Sequence, residues 1–152
     1  MSRIADLGKN YEKLPDLLAE YDEHITAAPE RLAIKGKILD EALKEQAAWP
    51  VFYDHKRAEL STLVKFISMK VDETRSRLLR NYTENYSRAL SDRIADKYID
   101  KENEFLLINE LYLEVSELAE KFSNVVDAFK TRGFALRDIV AVRVNKIQDN
   151  LL

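Results

Sequence analysis

The stretch INELYLEVSELAEKFSNVVDAF, residues 108–129, decides the fold. Within it Ile108, Tyr112, Val115, Ala119, Phe122, Val126 and Phe129 recur at alternating steps of four and three, which places them along one seam of an α-helix. Leu111, Leu118 and Val125 widen that seam. A large apolar side chain gains about 1.5–3 kcal/mol on full burial, so this face has to dock on another element. Asp100 is the expected N-cap. Gly133, after Lys130-Thr131-Arg132, is the expected stop, because left-handed backbone and terminal cations both favour ending a helix there. The pattern predicts a helix over 101–131.

Working outward, Leu60, Leu63, Ile67, Val71, Thr74 and Leu78 repeat the same spacing and predict a second long helix from about Val51 to Arg80. Pro50 marks a boundary or kink before it. A shorter amphipathic helix is expected from near Pro29, carrying Leu32, Ile38, Leu39, Ala42, Leu43 and Ala47 and weakened by Gly36. Residues 1–28 have weaker periodicity and read as a loosely held arm or a short helix after Pro15. Residues 81–87 read as a connection, followed by a short helix marked by Leu90, Ile94 and Tyr98. The last segment, 134–152, has more apolar residues than a terminal helix with one neighbour can bury.

These readings give an all-α chain, an elongated protomer of long amphipathic helices. It divides into 1–28, a helical body over 29–133 with a basic middle, and an oligomerisation helix over 134–152. Phe134, Leu136, Ile139, Val140, Val144 and Ile147 are its candidate contacts between subunits.

Composition narrows the function. Among 152 residues there are three glycines, three prolines and no cysteine, too little turn punctuation for β-sandwiches or glycine-cradled nucleotide folds, and no thiol for a disulfide, zinc ribbon or iron–sulfur cluster. No apolar run approaches the roughly 20 residues of a membrane span. The start, Met1-Ser2-Arg3-Ile4-Ala5-Asp6, lacks the features of a secretory signal, so a cytoplasmic protein is expected.

Catalysis finds little footing. His24 and His55 stand in no metal-ligand spacing, and neither a phosphate loop nor a nucleophile elbow is present. His55-Lys56-Arg57 invites comparison with a phosphoacceptor histidine, but the reading we favour is a solvent-facing residue on a charged face. We expect no enzyme activity, no metal and no cofactor.

Charge is distributed unevenly. Residues 1–55 carry 7 basic and 11 acidic side chains, 56–101 carry 11 and 7, and 102–152 carry 6 and 9, for net charges of −4, +4 and −3. In the basic segment Lys65, Lys70, Arg75, Arg77, Arg80, Arg88, Arg93 and Lys97 surround Tyr82 and Tyr86, pairing cations for phosphates with rings on which unpaired bases can stack. The candidate DNA-binding set is Lys70, Arg75, Arg77, Arg80, Tyr82, Tyr86, Arg88 and Arg93. No duplex-reading signature accompanies it.

The run Asp127-Ala128-Phe129-Lys130-Thr131-Arg132-Gly133-Phe134-Ala135-Leu136-Arg137 resembles the C-terminal signature of the UvsY-type bacteriophage recombination mediators. Arg75-Ser76-Arg77-Leu78 is similar to that family's basic step, and Trp49 lies about where the family has a tryptophan. The resemblance covers residues 35–140. It departs after the basic step, where Leu79-Arg80-Asn81 precedes Tyr82 and no glycine-bearing turn follows. What it implies is a mediator that binds single-stranded DNA and helps a RecA-like recombinase replace single-strand-binding protein. It further implies a ring-like homo-oligomer, a hexamer or heptamer, acting in the host cytoplasm. Without it, the same seams and the net charge of −3 suit a helical assembly or scaffold protein with no DNA affinity.

Overall fold

A computed structural model describes residues 11–85 and 90–150, with the side chains of 12–85 and 90–146. A single 3-10 turn, Tyr11–Lys13, leads into four α-helices: α1 (Leu14–Leu32), α2 (Leu39–Glu84), α3 (Asp92–Ile99) and α4 (Asn103–Asn150). No strand occurs among the described residues. At about 1.5 Å per residue, α2 and α4 are each roughly 70 Å long. They run antiparallel: Gln46 near the start of α2 meets Phe129 far along α4, while Arg77 near the end of α2 pairs with Glu104 at the start of α4.

The two seams meet as the spacing requires. Leu60, Leu63 and Ile67 of α2 and Val115, Phe122, Val126 and Phe129 of α4 are buried in one core, with Ile108, Tyr112 and Ala119 packed at its edge. Tyr53 is central. Its ring lies 5.8 Å from that of Phe122 and 5.3 Å from that of Phe129, and its hydroxyl donates to the His24 carbonyl at 2.7 Å.

Four expectations change. Of the two forms expected for the first 28 residues, an arm or a short helix after Pro15, the described part is helical: α1, longer than expected at 19 residues, buries Leu14, Leu18, Tyr21 and Ala28 against the α2–α4 pair. It runs through Pro29, which therefore starts no helix. Gly36 is in the following turn, closed by Lys37 N–H to the Ile34 carbonyl at 3.1 Å. Its φ of +82° is the sign a type II turn needs at that position.

Second, α2 continues through Pro50. Proline removes one amide donor and crowds the preceding turn. Packing on both sides outweighs that cost, since Ala42 and Tyr53 are both buried. Third, Asp100 does not cap α4, which begins at Asn103; its carboxylate binds Arg75 instead.

Fourth, Gly133 does not end the helix, and no separate helix begins at 134: α4 passes through to Asn150. The reason is a contact from far away in sequence. Arg132, only 4% exposed, donates to the Leu32 carbonyl (3.1 Å), the Ala42 carbonyl (3.3 Å) and Gln46 Oε1 (2.8 Å), and pairs with Glu45 at 3.0 Å. A cation that ties down the end of α1 and the start of α2 has to be held on a rigid turn. A Cβ built on Gly133 would stand 2.9 Å from Gln46 Nε2, so this glycine serves close approach rather than termination.

At the other end of the hairpin α1 is out of reach, and α3 takes its place. Ala95 and Ile99 of α3 are buried with Leu78, Tyr82 and Phe105 in a second, smaller core. Ile94 and Tyr98, whose spacing marks this helix in the sequence, lie on its outside, 46% and 52% exposed.

Candidate nucleic-acid interface

Most of the predicted cations lie where α2, α3 and the start of α4 converge, and several are already engaged. Arg75 places Nη1 3.1 Å from Asp96 and Nη2 2.9 Å from Asp100. Its guanidinium also lies 4.6 Å above the Phe105 ring. Arg77 pairs with Glu104 and Lys70 with Glu73, at 2.8 Å. The lysine's hydrogen bond and charge hold the Glu73 carboxyl below its usual range. These carboxylates neutralise part of the positive charge that the sequence shows. A phosphate at Arg75 or Arg77 would have to displace or share a carboxylate.

Arg80 and Arg93 are exposed and have no ion-pair partner among the described residues. Tyr86 and Arg88 lie outside the described residues. Tyr82 is not offered to a base. It is buried, its hydroxyl donates to Glu102, and its ring is stacked on Tyr98 with centroids 5.7 Å apart and planes inclined by 20°.

Sequence reasoning missed Tyr98 as a binding candidate. The spacing of Leu90, Ile94 and Tyr98 marks the helix but not its inner face, which the alanine and isoleucine at 95 and 99 form. The i, i+4 pair Ala95 and Ile99 was the available signal, masked because alanine contributes little to an apolar pattern.

At the opposite end of the molecule the oligomerisation candidates divide. Phe134 is 60% exposed, with the Arg137 guanidinium 5.2 Å over its ring. Leu136 is 1% exposed, so it fills its own protomer's core and presents nothing to a second subunit. Ile139 and Val140 are half-buried, and Val144 is exposed together with Val142. The side chain of Ile147 lies outside the described residues. From Ala141 to Lys146 every residue is exposed, although the backbone is still helical.

The histidines stand apart from both regions. His55 is exposed on α2. His24 packs edge-on against Phe52 at 4.8 Å and lies near Arg31, with 3.4 Å between Nδ1 and Nη1. Burial, and then the charges of Arg31 and Lys56, lower its pKa below the usual histidine value. No cluster of metal-ligating side chains occurs among the described residues. None of their helices is long and apolar enough to cross a membrane.

Comparison with family models, curated proteins and solved structures gives no match. The fold and site describe an all-helical protein with a long α2–α4 hairpin, a cation-rich end and an exposed apolar tail.

Proposed function

We propose that the chain is a non-catalytic recombination mediator: it binds single-stranded DNA and promotes loading of a RecA-like recombinase in place of single-strand-binding protein. It acts as a ring-like homo-oligomer joined through the last turns of α4, in the host cytoplasm if phage-encoded. The observation that carries this reading is the 127–137 run, which resembles the UvsY-type signature. Its parts have distinct physical work here: Phe129 fills the core, Arg132 ties three helices, and Phe134 faces outward.

Two features support assembly and strand binding. The end turns of a helix gain most of their stability from packing, and here they have none within the protomer. Residues 141–146, bearing Val142 and Val144, gain a reason to be helical when another copy covers them. Cations without partners supply the second feature. With about four phosphate contacts on one subunit, a salt slope near −2.8 costs about 50-fold in affinity between 50 and 200 mM salt. Identical patches fixed on one assembly raise the effective concentration of the later contacts and retain a strand that one patch releases.

A second reading, a helical scaffold with no DNA affinity, is favoured by the carboxylates that occupy Arg75 and Arg77. Native mass measurement of the full chain with and without oligo(dT) separates the two. The mediator reading requires an oligomer that takes up the strand, whereas an oligomer whose mass is indifferent to DNA supports the scaffold.

A further inference from the structure

Resting on the single-strand reading above, we infer that α3 is the strand-contacting element, with Tyr98 as its base-stacking residue and Arg93, Lys97 and Lys101 as its phosphate row. Arg75 is then a positioning residue that acts through Asp96 and Asp100.

The four-residue repeat divides α3 into rows. Ala95 and Ile99 face the core. Beside them Asp96 and Asp100 form an acidic row, and both carboxylates are bound by Arg75. Next come Arg93 and Lys97, exposed. Lys101 extends that row one turn further, where its N–H bonds the Tyr98 carbonyl at 3.1 Å. None of the three has an ion-pair partner among the described residues. The remaining row is Ile94 and Tyr98, which adjoins the cations on its other side.

This order matters electrostatically. Without Arg75, two unpaired carboxylates would border the cationic row and repel a phosphate chain. With it, the outer face of α3 is a strip of three cations, and one of the two charges on the Asp96–Asp100 flank is compensated. The charge suits a polyanion, and the neighbouring ring specifies one that carries flat apolar groups at regular intervals, namely unpaired nucleobases.

The ring is also prepared for the task. Tyr82 covers one face of Tyr98 in a stacked pair, and the buried Tyr82 is itself anchored by its hydroxyl to Glu102. Tyr98 remains 52% exposed, so a base can extend an existing stack against a ring already held in place. That lowers the ordering cost of binding.

The test uses the full-length protein with two fluorescein-labelled strands of equal length, oligo(dT) and its abasic analogue. Tyr98→Ala should weaken oligo(dT) binding by about tenfold while leaving abasic binding and the salt slope unchanged, and Tyr98→Phe should bind as wild type. Arg93→Ala and Lys97→Ala should each reduce the salt slope by about 0.7 for every subunit that engages the strand, on both strands. Arg75→Gln should weaken binding to both strands, and adding Asp96→Asn and Asp100→Asn should restore it. If the triple variant stays as weak as Arg75→Gln, or if Tyr98→Ala loses equally on both strands, the assignment to α3 is overturned. If wild type binds neither strand, the single-strand reading falls and takes this inference with it.

Discussion

Gln46 and Arg132, 86 positions apart in the chain, meet at 2.8 Å, where the guanidinium Nη1 donates to the side-chain Oε1. The same glutamine donates through Nε2 to the Phe129 carbonyl at 2.8 Å. One amide therefore bridges a buried cation and the backbone of the turn that carries it. Removing the cation strands that amide and two backbone carbonyls. Arg132→Ala should lower stability by about 1–3 kcal/mol for each acceptor left buried without its donor, while Glu45, whose side chain is 30% exposed, keeps Lys37 at 2.8 Å. Arg132→Lys should recover only a minor part, since a point charge cannot serve four acceptors arranged for a planar fork. Chemical denaturation of the three proteins checks the order.

Gly133 and Gln46 should be coupled. In an open helical site glycine to alanine gains about 1 kcal/mol. Here the added methyl meets Nε2 at 2.9 Å and displaces an amide that two hydrogen bonds hold. Gly133→Ala should therefore gain clearly less in the wild-type background than in Gln46→Ala. A double-mutant cycle measures the difference, and additive effects would show that the close approach costs nothing.

His24 makes stability depend on mildly acid pH. Its folded pKa is lowered, so the unfolded chain binds the proton more readily. Stability consequently rises with pH in this region: it is full above the ordinary histidine value of 6.5 and declines as pH falls below it. His24→Gln should remove the decline that sets in below the ordinary histidine value while leaving the carboxylate-driven losses at lower pH. Denaturation midpoints at several pH values read it directly.

Ending the chain after Val140 spares Arg132, Leu136 and the half-buried Ile139 and removes the exposed turns that follow. The account expects a protomer with intact α1–α2–α4 packing and the mass of a monomer. An oligomer of unchanged subunit number would move the assembly surface elsewhere.

How far local pattern reaches is clear from these residues. The seams of α2 and α4 were legible because burial repeats every three or four positions, and Leu60, Leu63, Val115 and Phe122 all reached the core that their spacing predicts. The helix ends were less legible. Gly133 and Pro50 carry local stop signals, and the contacts that overrule them come from partners scores of residues away. The cationic site misled for the same reason: Asp96 and Asp100 lie 21 and 25 positions from Arg75, so nothing around Arg75 in the sequence announces its neutralisation. Tyr98 needed the register of α3, which an eight-residue helix with one alanine in its inner row barely encodes.

The central claim is that several copies together hold an unpaired strand through exposed cations. Fluorescence anisotropy of labelled oligo(dT) from 50 to 200 mM salt, run on the full-length protein and on the chain ended after Val140, tests it most directly. Tight, salt-steep binding is expected of the oligomer and, for the shortened chain, weak binding with a slope no steeper than about −2.8. Equal affinity for the two proteins, or no strand binding by the oligomer at 50 mM salt, would contradict it.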